Sequence, residues 1–446
     1  MDVFIMISQL VLSLAILVVL HEAGHFFPAK WFKTRVEKFY LFFDPWFSLF
    51  KFKKGETEYG IGWLPLGGYV KISGMIDESM DKEQMKKPPK PWEFRSKPAW
   101  QRLIIMLGGV FVNFILGFFI FAMLLFAYGE TYLPASSVDT GIYADSLGEE
   151  MGLQTGDHIL AIGGKPFERF SDRQLIREIV INKADNITVE RDGRRIDVPV
   201  DERFVRILSG SDFRNQQIFM PRFPFVVAQV LPGTPADEAG LETGDQVINF
   251  EGRSIRYFDE FTNMARSHAG ERVRLDIKRG DGSVTSREVD ITEDGTVGVF
   301  PFGPEQFFDL ATREYGFFES IPAGVNQGMT FLVDQIKAFG QMFTGRIKAS
   351  ESLGGFGTIT SLFPSEWVWA DFWRVTAVLS LILGFMNLLP IPALDGGHVM
   401  FLLWEVVTGK KPGDKFMEYA TIFGFLLIIA LVIYVNGLDV ARWLSG

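Results

Sequence analysis

The sequence contains no cysteine among its 446 residues. Disulfide bonds and thiolate metal sites are therefore both excluded. Any transition-metal site has to be built from histidine and carboxylate side chains, and only five histidines are present. The net charge of −10 also argues against nucleic acid as a partner.

Four segments have few charged residues, although 22% of the whole chain is charged and 48% is hydrophobic. About 20 apolar residues suffice to cross a bilayer. The sequence therefore predicts a multi-pass membrane protein with four spans at Val3–His25, Leu103–Tyr128, Val375–Leu389 and Met417–Val435. We interpret the first as a retained span, because it lacks the basic start and small-residue cleavage site of a signal peptide.

Lysine and arginine are absent from the twenty residues after Tyr128, whereas the connections inside each pair of spans are basic. Basic connections stay in the cytoplasm. We therefore expect both termini and the block Gly129–Trp373 to face outward. The basic residues behind this prediction are Lys30, Lys33, Arg35, Lys38, Lys86, Lys87, Lys90, Arg95, Lys97, Lys410, Lys411 and Lys415.

The external block contains an internal repeat. The stretch Gly152–Phe167 matches Gly240–Ile255, which begins 88 residues later, and each contains a Gly-Asp turn before an alternating apolar strand. Helical patterns follow at Asp172–Ile181 and Phe258–Ser267. The pattern resembles two PDZ domains, which bind a peptide beside an open sheet edge. We expect Phe225–Val230 to form that edge in the second copy; a closed pair acting as a spacer or steric shield is the alternative.

The most informative stretch is His21-Glu22-Ala23-Gly24-His25. Residues four apart share a helix face, so both imidazoles can reach one Zn²⁺, and Glu22 can take a proton from zinc-bound water. The alternative is a pair of ordinary histidines at a helix end. Ionisable groups at the end of an apolar span are costly unless they serve a function, which favours the metal site.

A tetrahedral zinc needs a third protein ligand. Asp395 is the candidate, because Pro390 and Pro392 interrupt the third span and two glycines follow the aspartate. Irregular backbone at membrane depth is tolerated where it lines a cavity or is buried in protein. Two alternatives stay open: Asp395 caps a helix that starts at Gly396, or His398 is the ligand instead.

The motif at 21–25 and the segment Asn387–Gly396 together resemble the site-2 protease family, over essentially the whole chain and closest to its tandem-PDZ bacterial branch. The resemblance implies a zinc ion bound by His21, His25 and Asp395, with Glu22 as general base. It also implies that Asn387 binds the substrate backbone or the developing oxyanion. From its sequence context alone, Asn387 could equally join two helices by a hydrogen bond.

Family members carry a membrane-associated β-hairpin on the cytoplasmic side, and Trp63–Lys71 fits it, with an ordinary loop hairpin as the alternative. The resemblance therefore predicts substrate contacts at Gly67, Gly68 and Tyr69. Further substrate contacts are expected at the motif residues Asn387, Pro390 and Pro392. Gly109–Asn113 resembles a glycine-and-asparagine stretch of the family but lacks its proline, so no catalytic role is assigned to Asn113.

The expected function is intramembrane zinc-dependent cleavage of single-span proteins in the bacterial inner membrane. Anti-sigma factors and signal-peptide remnants are the family's substrate types. Another protease would first trim the substrate, the PDZ pair would screen it, and the cut would release a cytoplasmic fragment. A non-catalytic PDZ scaffold and a metal transporter are the alternatives.

The expected architecture is four transmembrane helices with two inserted α/β PDZ domains and the β-hairpin. Interfacial helices are predicted in the segment before the third span, with a simple linker as the alternative. The predicted divisions are 1–128 (two spans, zinc motif and hairpin), 129–219 (first PDZ domain), 220–305 (second PDZ domain), 306–373 (interfacial segment) and 374–446 (last two spans).

Overall fold

A computed structural model describes residues 2–65, 67–75, 88–210, 213 and 217–445. Lys86 and Lys87, which contributed to the predicted orientation, lie outside the described residues, as does Leu66 of the predicted hairpin. The chain forms two compact units. Unit 1 contains the residues up to Gly129, Glu314–Lys337 and those from Leu353 onward; unit 2 contains Glu130–Arg313 and Ala338–Ser352.

The described helices and strands are numbered in chain order. The helices are α1 (Asp2–Trp31), α2 (Ala99–Tyr128), α3 (Ser146–Glu150), α4 (Asp172–Ile176), α5 (Arg203–Ser209), α6 (Pro235–Glu238), α7 (Phe258–Ser267), α8 (Phe317–Phe343), α9 (Ala349–Ser352), α10 (Phe356–Thr360), α11 (Trp369–Leu388), α12 (Asp395–Thr408) and α13 (Asp414–Ser445). The strands are β1 (Val36–Leu41), β2 (Phe43–Lys54), β3 (Thr57–Leu64), β4 (Tyr69–Ile72), β5 (Glu130–Tyr132), β6 (Ile142–Ala144), β7 (His158–Ile162), β8 (Lys165–Pro166), β9 (Asn186–Arg191), β10 (Arg194–Pro199), β11 (Phe219–Pro221), β12 (Val227–Val230), β13 (Gln246–Phe250), β14 (Arg253–Ser254), β15 (Arg272–Lys278), β16 (Val284–Asp290), β17 (Val299–Pro301) and β18 (Ala311–Arg313).

Four helices of unit 1, namely α1, α2, α11 and α13, are long and apolar enough to cross a membrane. The protein is therefore a membrane protein with inserted β domains. Helix α1 continues past the predicted boundary to Trp31. Helix α11 ends at Leu388, just before Pro390, because the proline lacks the N–H that a further helical turn needs.

Helices α1 and α2 cross at a contact between glycines. A methyl group on Gly24 would overlap the Gly108 carbonyl oxygen, and one on Gly108 would overlap the Gly24 carbonyl oxygen. Small residues at such a crossing let two membrane helices approach closely. This close approach brings the α1 histidines against α2.

The segment between α1 and α2 forms a four-stranded sheet with the order β2-β3-β1-β4. Strand β1 is parallel to β3 and antiparallel to β4. The predicted hairpin over Trp63–Lys71 is therefore wrong in its pairing, because β1 lies between its two arms. The hairpin in this sheet is formed by β2 and β3 instead.

Unit 2 contains the two repeat copies, and they share one topology. The first copy has a four-stranded sheet ordered β8-β7-β9-β10 and a pair β6-β11; the second has β14-β13-β15-β16 and a pair β12-β17. Helix α4 is followed by a π-helical turn at Arg177–Ile181, and its counterpart is α7. The sequence repeat is thus also a repeat of the fold.

The expectation that Phe225–Val230 forms an open sheet edge is wrong. Strand β12 pairs with β17 on one side. On its other side, the Val227 amide donates to the Asp245 carbonyl and the Val247 amide donates to the Phe225 carbonyl. One edge is occupied because β17, which follows much later in the chain, returns to pair with β12; the other is occupied by Asp245 and the start of β13.

The segment before the third span contains a long helix, α8, so the alternative of a simple linker is wrong. The helix runs from Phe317 to Phe343. In unit 1, Gly324 packs against Ala122 and Gly328 packs against Phe118 of α2. This part of the chain is therefore a helix packed on α2.

Candidate metal centre

Three side chains from two distant parts of the chain converge in unit 1. His21 and His25 are buried on one face of α1, and Asp395 is the first residue of α12. The two Nε2 atoms are 3.3 Å apart, and each is 3.3 Å from Oδ2 of Asp395. The three atoms form a nearly equilateral triangle.

This triangle has the size that a tetrahedral zinc ion requires. Zinc bonds of about 2.0–2.1 Å place neighbouring ligand atoms about 3.3–3.4 Å apart. Oδ2 of Asp395 is also buried without a hydrogen-bond partner among the described residues. Because a buried acceptor without a partner is costly, a cation at this point would satisfy it. The residues present therefore fit zinc.

Helix α2 fixes the orientation of both imidazoles. Nδ1 of His25 lies 2.8 Å from the Ile105 carbonyl oxygen, so this nitrogen carries the proton and Nε2 keeps its lone pair. A methyl group on Gly109 would overlap Nε2 of His25, so only glycine leaves room for the ring. Asn113 lies 2.9 Å from Nδ1 of His21.

The atom of Asn113 that faces Nδ1 of His21 is the side-chain nitrogen Nδ2. When Nε2 of His21 binds a metal, Nδ1 must carry the proton and needs an acceptor. The side-chain oxygen of Asn113 is the acceptor available, and a half-turn of the amide group brings it to that position. In its present position, the side-chain oxygen Oδ1 of Asn113 has no hydrogen-bond partner among the described residues. Asn113 is therefore a positioning residue for His21.

Asn113 has no predicted role from the motif alone, although the sequence contains a signal for one. Ile105, Gly109 and Asn113 are spaced four apart, so they lie along one face of α2. That spacing becomes meaningful only once α2 is known to cross α1 at the histidines. The family proline that this stretch lacks is not needed for the contact with His21.

A tight turn holds Asp395 against the histidines. Ala393 has a φ of 85°, which is strained for a residue with a side chain. A methyl group on Gly396 would overlap the carbonyl oxygens of Leu388 and Leu389. Asp395 lies inside α12 as its first residue, so the N-cap position belongs to Leu394, which makes no side-chain cap hydrogen bond. The geometry thus favours a ligand role for Asp395 over the alternative of a helix cap.

A cavity of about 580 Å³ opens onto the three converging atoms. Its wall includes Glu22, Asn387 and His398, together with the β4 segment at Gly67, Gly68 and Tyr69. His398 lies on the wall, but it is not one of the three residues whose ligand atoms converge.

The remaining motif residues occupy different places around this cavity. The side chain of Asn387 makes no hydrogen bond within the described residues, so nothing there supports a role in joining helices. Pro390 and Pro392 are not among the described lining residues. Pro392 instead packs closely against Gly424 of α13.

Comparison with known proteins identifies the family. The model of peptidase family M50 matches residues 9–431. The chain belongs to peptidase family M50. This M50 protease is 27% identical to the regulator of sigma-E protease RseP of Escherichia coli K12, over 96% of each chain. It is 28% identical to a provisionally named zinc metalloprotease of Neisseria meningitidis over 98% of each chain, and 25% identical to the protease RseP of Yersinia pestis over 97% of each.

The M50 protease is a zinc metalloprotease of the site-2 type, as its family and its relatives' names establish. Zn²⁺ is its cofactor, which agrees with the fit of the three converging atoms. The resemblance drawn from the 21–25 motif and the segment around Asp395 is confirmed. The alternatives of a non-catalytic scaffold and a metal transporter are set aside.

Proposed function

We propose that the protein cuts single-span membrane proteins within or beside their transmembrane helices. The observation that carries this proposal is the position of His21 and His25 on α1, a helix apolar enough to span a membrane, where their ligand atoms meet Asp395. In this proposal His21, His25 and Asp395 are the zinc ligands. The cavity beside them is where the substrate backbone enters.

Glu22 acts as the general base in the proposed mechanism. A zinc ion held by these residues would act as a Lewis acid and lower the pKa of a water in the cavity towards about 7. Glu22, which lies on the cavity wall one residue from His21, takes the proton from that water and returns it to the leaving amine. The Asn387 amide donates a hydrogen bond to the substrate carbonyl, on which negative charge develops.

The substrate must unwind before it can be cut, because helical carbonyls are already hydrogen-bonded within the helix. Strand β4 is an edge strand of its sheet and contributes Tyr69 to the cavity wall. It supplies replacement hydrogen bonds to an extended substrate segment. Gly68 lets this edge pass close to Glu22, since a side chain there would meet Val18 and the Tyr40 carbonyl at 2.6 Å. Gly67 has a φ of 142°, a conformation that favours glycine.

The two repeat copies are proposed to be PDZ domains that screen substrates on the periplasmic side. The shared topology of the copies and their PDZ-like sequence pattern support this role. Within the described residues β17 pairs only with β12, so the second edge of β17 is the candidate peptide-binding edge of the second copy. Alternatively, both copies act as a steric shield.

Location and substrate type follow from charge and from the relatives. We propose that both termini face the periplasm, because the basic connections favour the cytoplasm, and that the protein lies in the bacterial inner membrane, as expected from its RseP relatives. One relative is named as a regulator of sigma-E protease. We therefore propose anti-sigma-factor-like proteins and signal-peptide remnants, already trimmed by another protease, as substrates that release a cytoplasmic fragment.

Reconstituted protein tests the mechanism. The wild type should cleave a model single-span substrate, and a zinc chelator should stop the reaction. The variant Glu22→Gln should retain one zinc per chain, because Glu22 is not a proposed ligand. Its turnover should fall by about 10²- to 10⁴-fold, since the general base is lost. Unchanged turnover in a zinc-loaded Glu22→Gln variant would overturn the proposed mechanism.

A further inference from the structure

Lys38 is a positively charged residue on the wall of the zinc-site cavity that the proposed mechanism does not use. It belongs to β1 and lines the same cavity as His21, Glu22 and Asp395. The side chain is only partly exposed. A half-buried ammonium group in a catalytic cavity needs compensation by hydrogen bonds or by an anion.

The surroundings of Lys38 hold its ammonium group without neutralising it. The Lys38 Nζ atom lies 3.5 Å from the Tyr69 hydroxyl oxygen and above the rings of Tyr40 and Tyr69. Among the described residues, no carboxylate forms an ion pair with it. The nearest acid reached through hydrogen bonds is Asp44, which accepts from the Tyr69 hydroxyl at 2.8 Å.

Tyr69 holds Lys38 in place. Its ring stacks with the rings of Tyr40, at 5.3 Å, and Phe43, at 6.1 Å. Burial and the hydrogen bond to Asp44 raise the pKa of Tyr69, so the phenol stays protonated and donates to Asp44. Its oxygen is then free to accept from Lys38. The lysine therefore lies against the cavity wall in contact with Tyr69 and Tyr40.

The neighbouring Lys71 behaves differently. Lys71 is the cross-strand partner of Lys38 and also lines the cavity. Its ammonium group lies 3.8 Å from the Glu37 carboxylate. Of the two lysines, Lys38 is therefore the one whose positive charge is not already paired with a carboxylate among the described residues.

The chemistry of the site indicates which anion this is. Peptide hydrolysis makes one new carboxylate at each cut. Zinc, when bound, would attract this group, and Lys38 provides a second positive charge on the cavity wall that is not a zinc ligand. An ammonium group forms a charge-assisted hydrogen bond with a carboxylate. The same group would also accept an acidic substrate side chain next to the cut.

We propose that Lys38 is the carboxylate-binding group of the cavity and receives either the new C-terminal carboxylate or an acidic side chain beside the cut. This inference rests on the proposed protease function. It makes Lys38 a determinant of product release or of sequence preference, in addition to the zinc ligands and the general base.

The first experiment measures binding of product peptides to the full-length, zinc-loaded protein. Two peptides are identical except that one ends in a carboxylate and the other in a carboxamide. The ratio of their dissociation constants is compared between variants, so the preference of zinc itself for a carboxylate cancels. Lys38→Met and Lys38→Gln should each reduce this ratio about tenfold, and Lys38→Arg should preserve it.

The second experiment compares kcat/KM for two substrates with Glu or Gln next to the cut. A Lys38-dependent ratio here identifies the substrate side chain as the source of the carboxylate, whereas an effect confined to the peptides identifies the new terminus. Either result supports the proposal. Ratios that are the same in wild type, Lys38→Met and Lys38→Gln in both experiments would overturn it.

Controls separate this inference from the proposed function. Lys53→Met alters an exposed lysine on β2 of the same sheet that does not line the cavity, and it should leave both ratios unchanged. Zinc content must equal one per chain in every variant. If the wild type cleaves no substrate, the proposed function fails, but the peptide-binding ratio still tests Lys38.

Discussion

The affinity of the site for zinc depends on the atoms behind each imidazole as well as on the three ligands. Asn113 is fully buried and contacts Nδ1 of His21. We predict that Asn113→Leu weakens zinc binding by about 10- to 100-fold, because the Nδ1 proton loses its acceptor. Asn113→Asp should retain tight binding, since a carboxylate oxygen accepts the same hydrogen bond. Zinc affinity is measured by competition with a chelator of known affinity.

Thr376→Val is the matched control for Asn113. Thr376 is also buried between membrane helices; its hydroxyl donates to the Phe372 carbonyl at 2.8 Å and lies 3.0 Å from the Ser13 hydroxyl, but it does not contact either histidine. Its zinc affinity should equal that of the wild type. Equal zinc affinities for Asn113→Leu and wild type would show that Asn113 does not position His21.

Among the secondary-structure elements, the position of edge strand β4 depends on Gly68. A methyl group there would lie 2.6 Å from both Val18 and the Tyr40 carbonyl oxygen, so Gly68→Ala must displace the start of β4. We predict that kcat/KM for a membrane substrate falls by about 10- to 100-fold, because a shift of about 1 Å misaligns the substrate. Zinc content should not change, since no proposed ligand lies on β4.

A neutral glycine substitution provides the comparison for Gly68. Gly437 lies in α13 and has no described atom within 4 Å of an added methyl group. Gly437→Ala should therefore keep the kcat/KM of the wild type. If Gly68→Ala cleaves as well as Gly437→Ala, the edge of β4 does not position the substrate.

These elements also show what the sequence can and cannot predict. The histidine pair is recognisable because residues four apart share a helix face, and the spans are recognisable from their apolar length. The sheet order cannot be predicted from the sequence. Strand β1 lies between β3 and β4, the strands on either side of Gly67 and Gly68, and no local pattern encodes these contacts. The role of Asn113 was missed for a similar reason: it depends on how α2 crosses α1.

The whole molecule consists of two units with separate hydrophobic cores. Each buried apolar cluster draws its residues from a single unit. All three proposed zinc ligands belong to unit 1, and His25 and Asp395 are 370 positions apart in the sequence. Zinc can therefore join these ligands only in the folded state. Its binding should stabilise unit 1 and not unit 2.

We predict two thermal transitions for the purified protein in detergent, of which only the one from unit 1 responds to zinc. Free zinc at about 100 times its dissociation constant should add about 2.7 kcal/mol to the stability of unit 1. Calorimetry with and without a chelator measures the shift, and limited proteolysis assigns each transition to its unit. Asp395→Asn should abolish the zinc response, because the third ligand loses its charge. If both transitions shifted together, or if Asp395→Asn responded to zinc like the wild type, zinc would not act by joining α1 to α12.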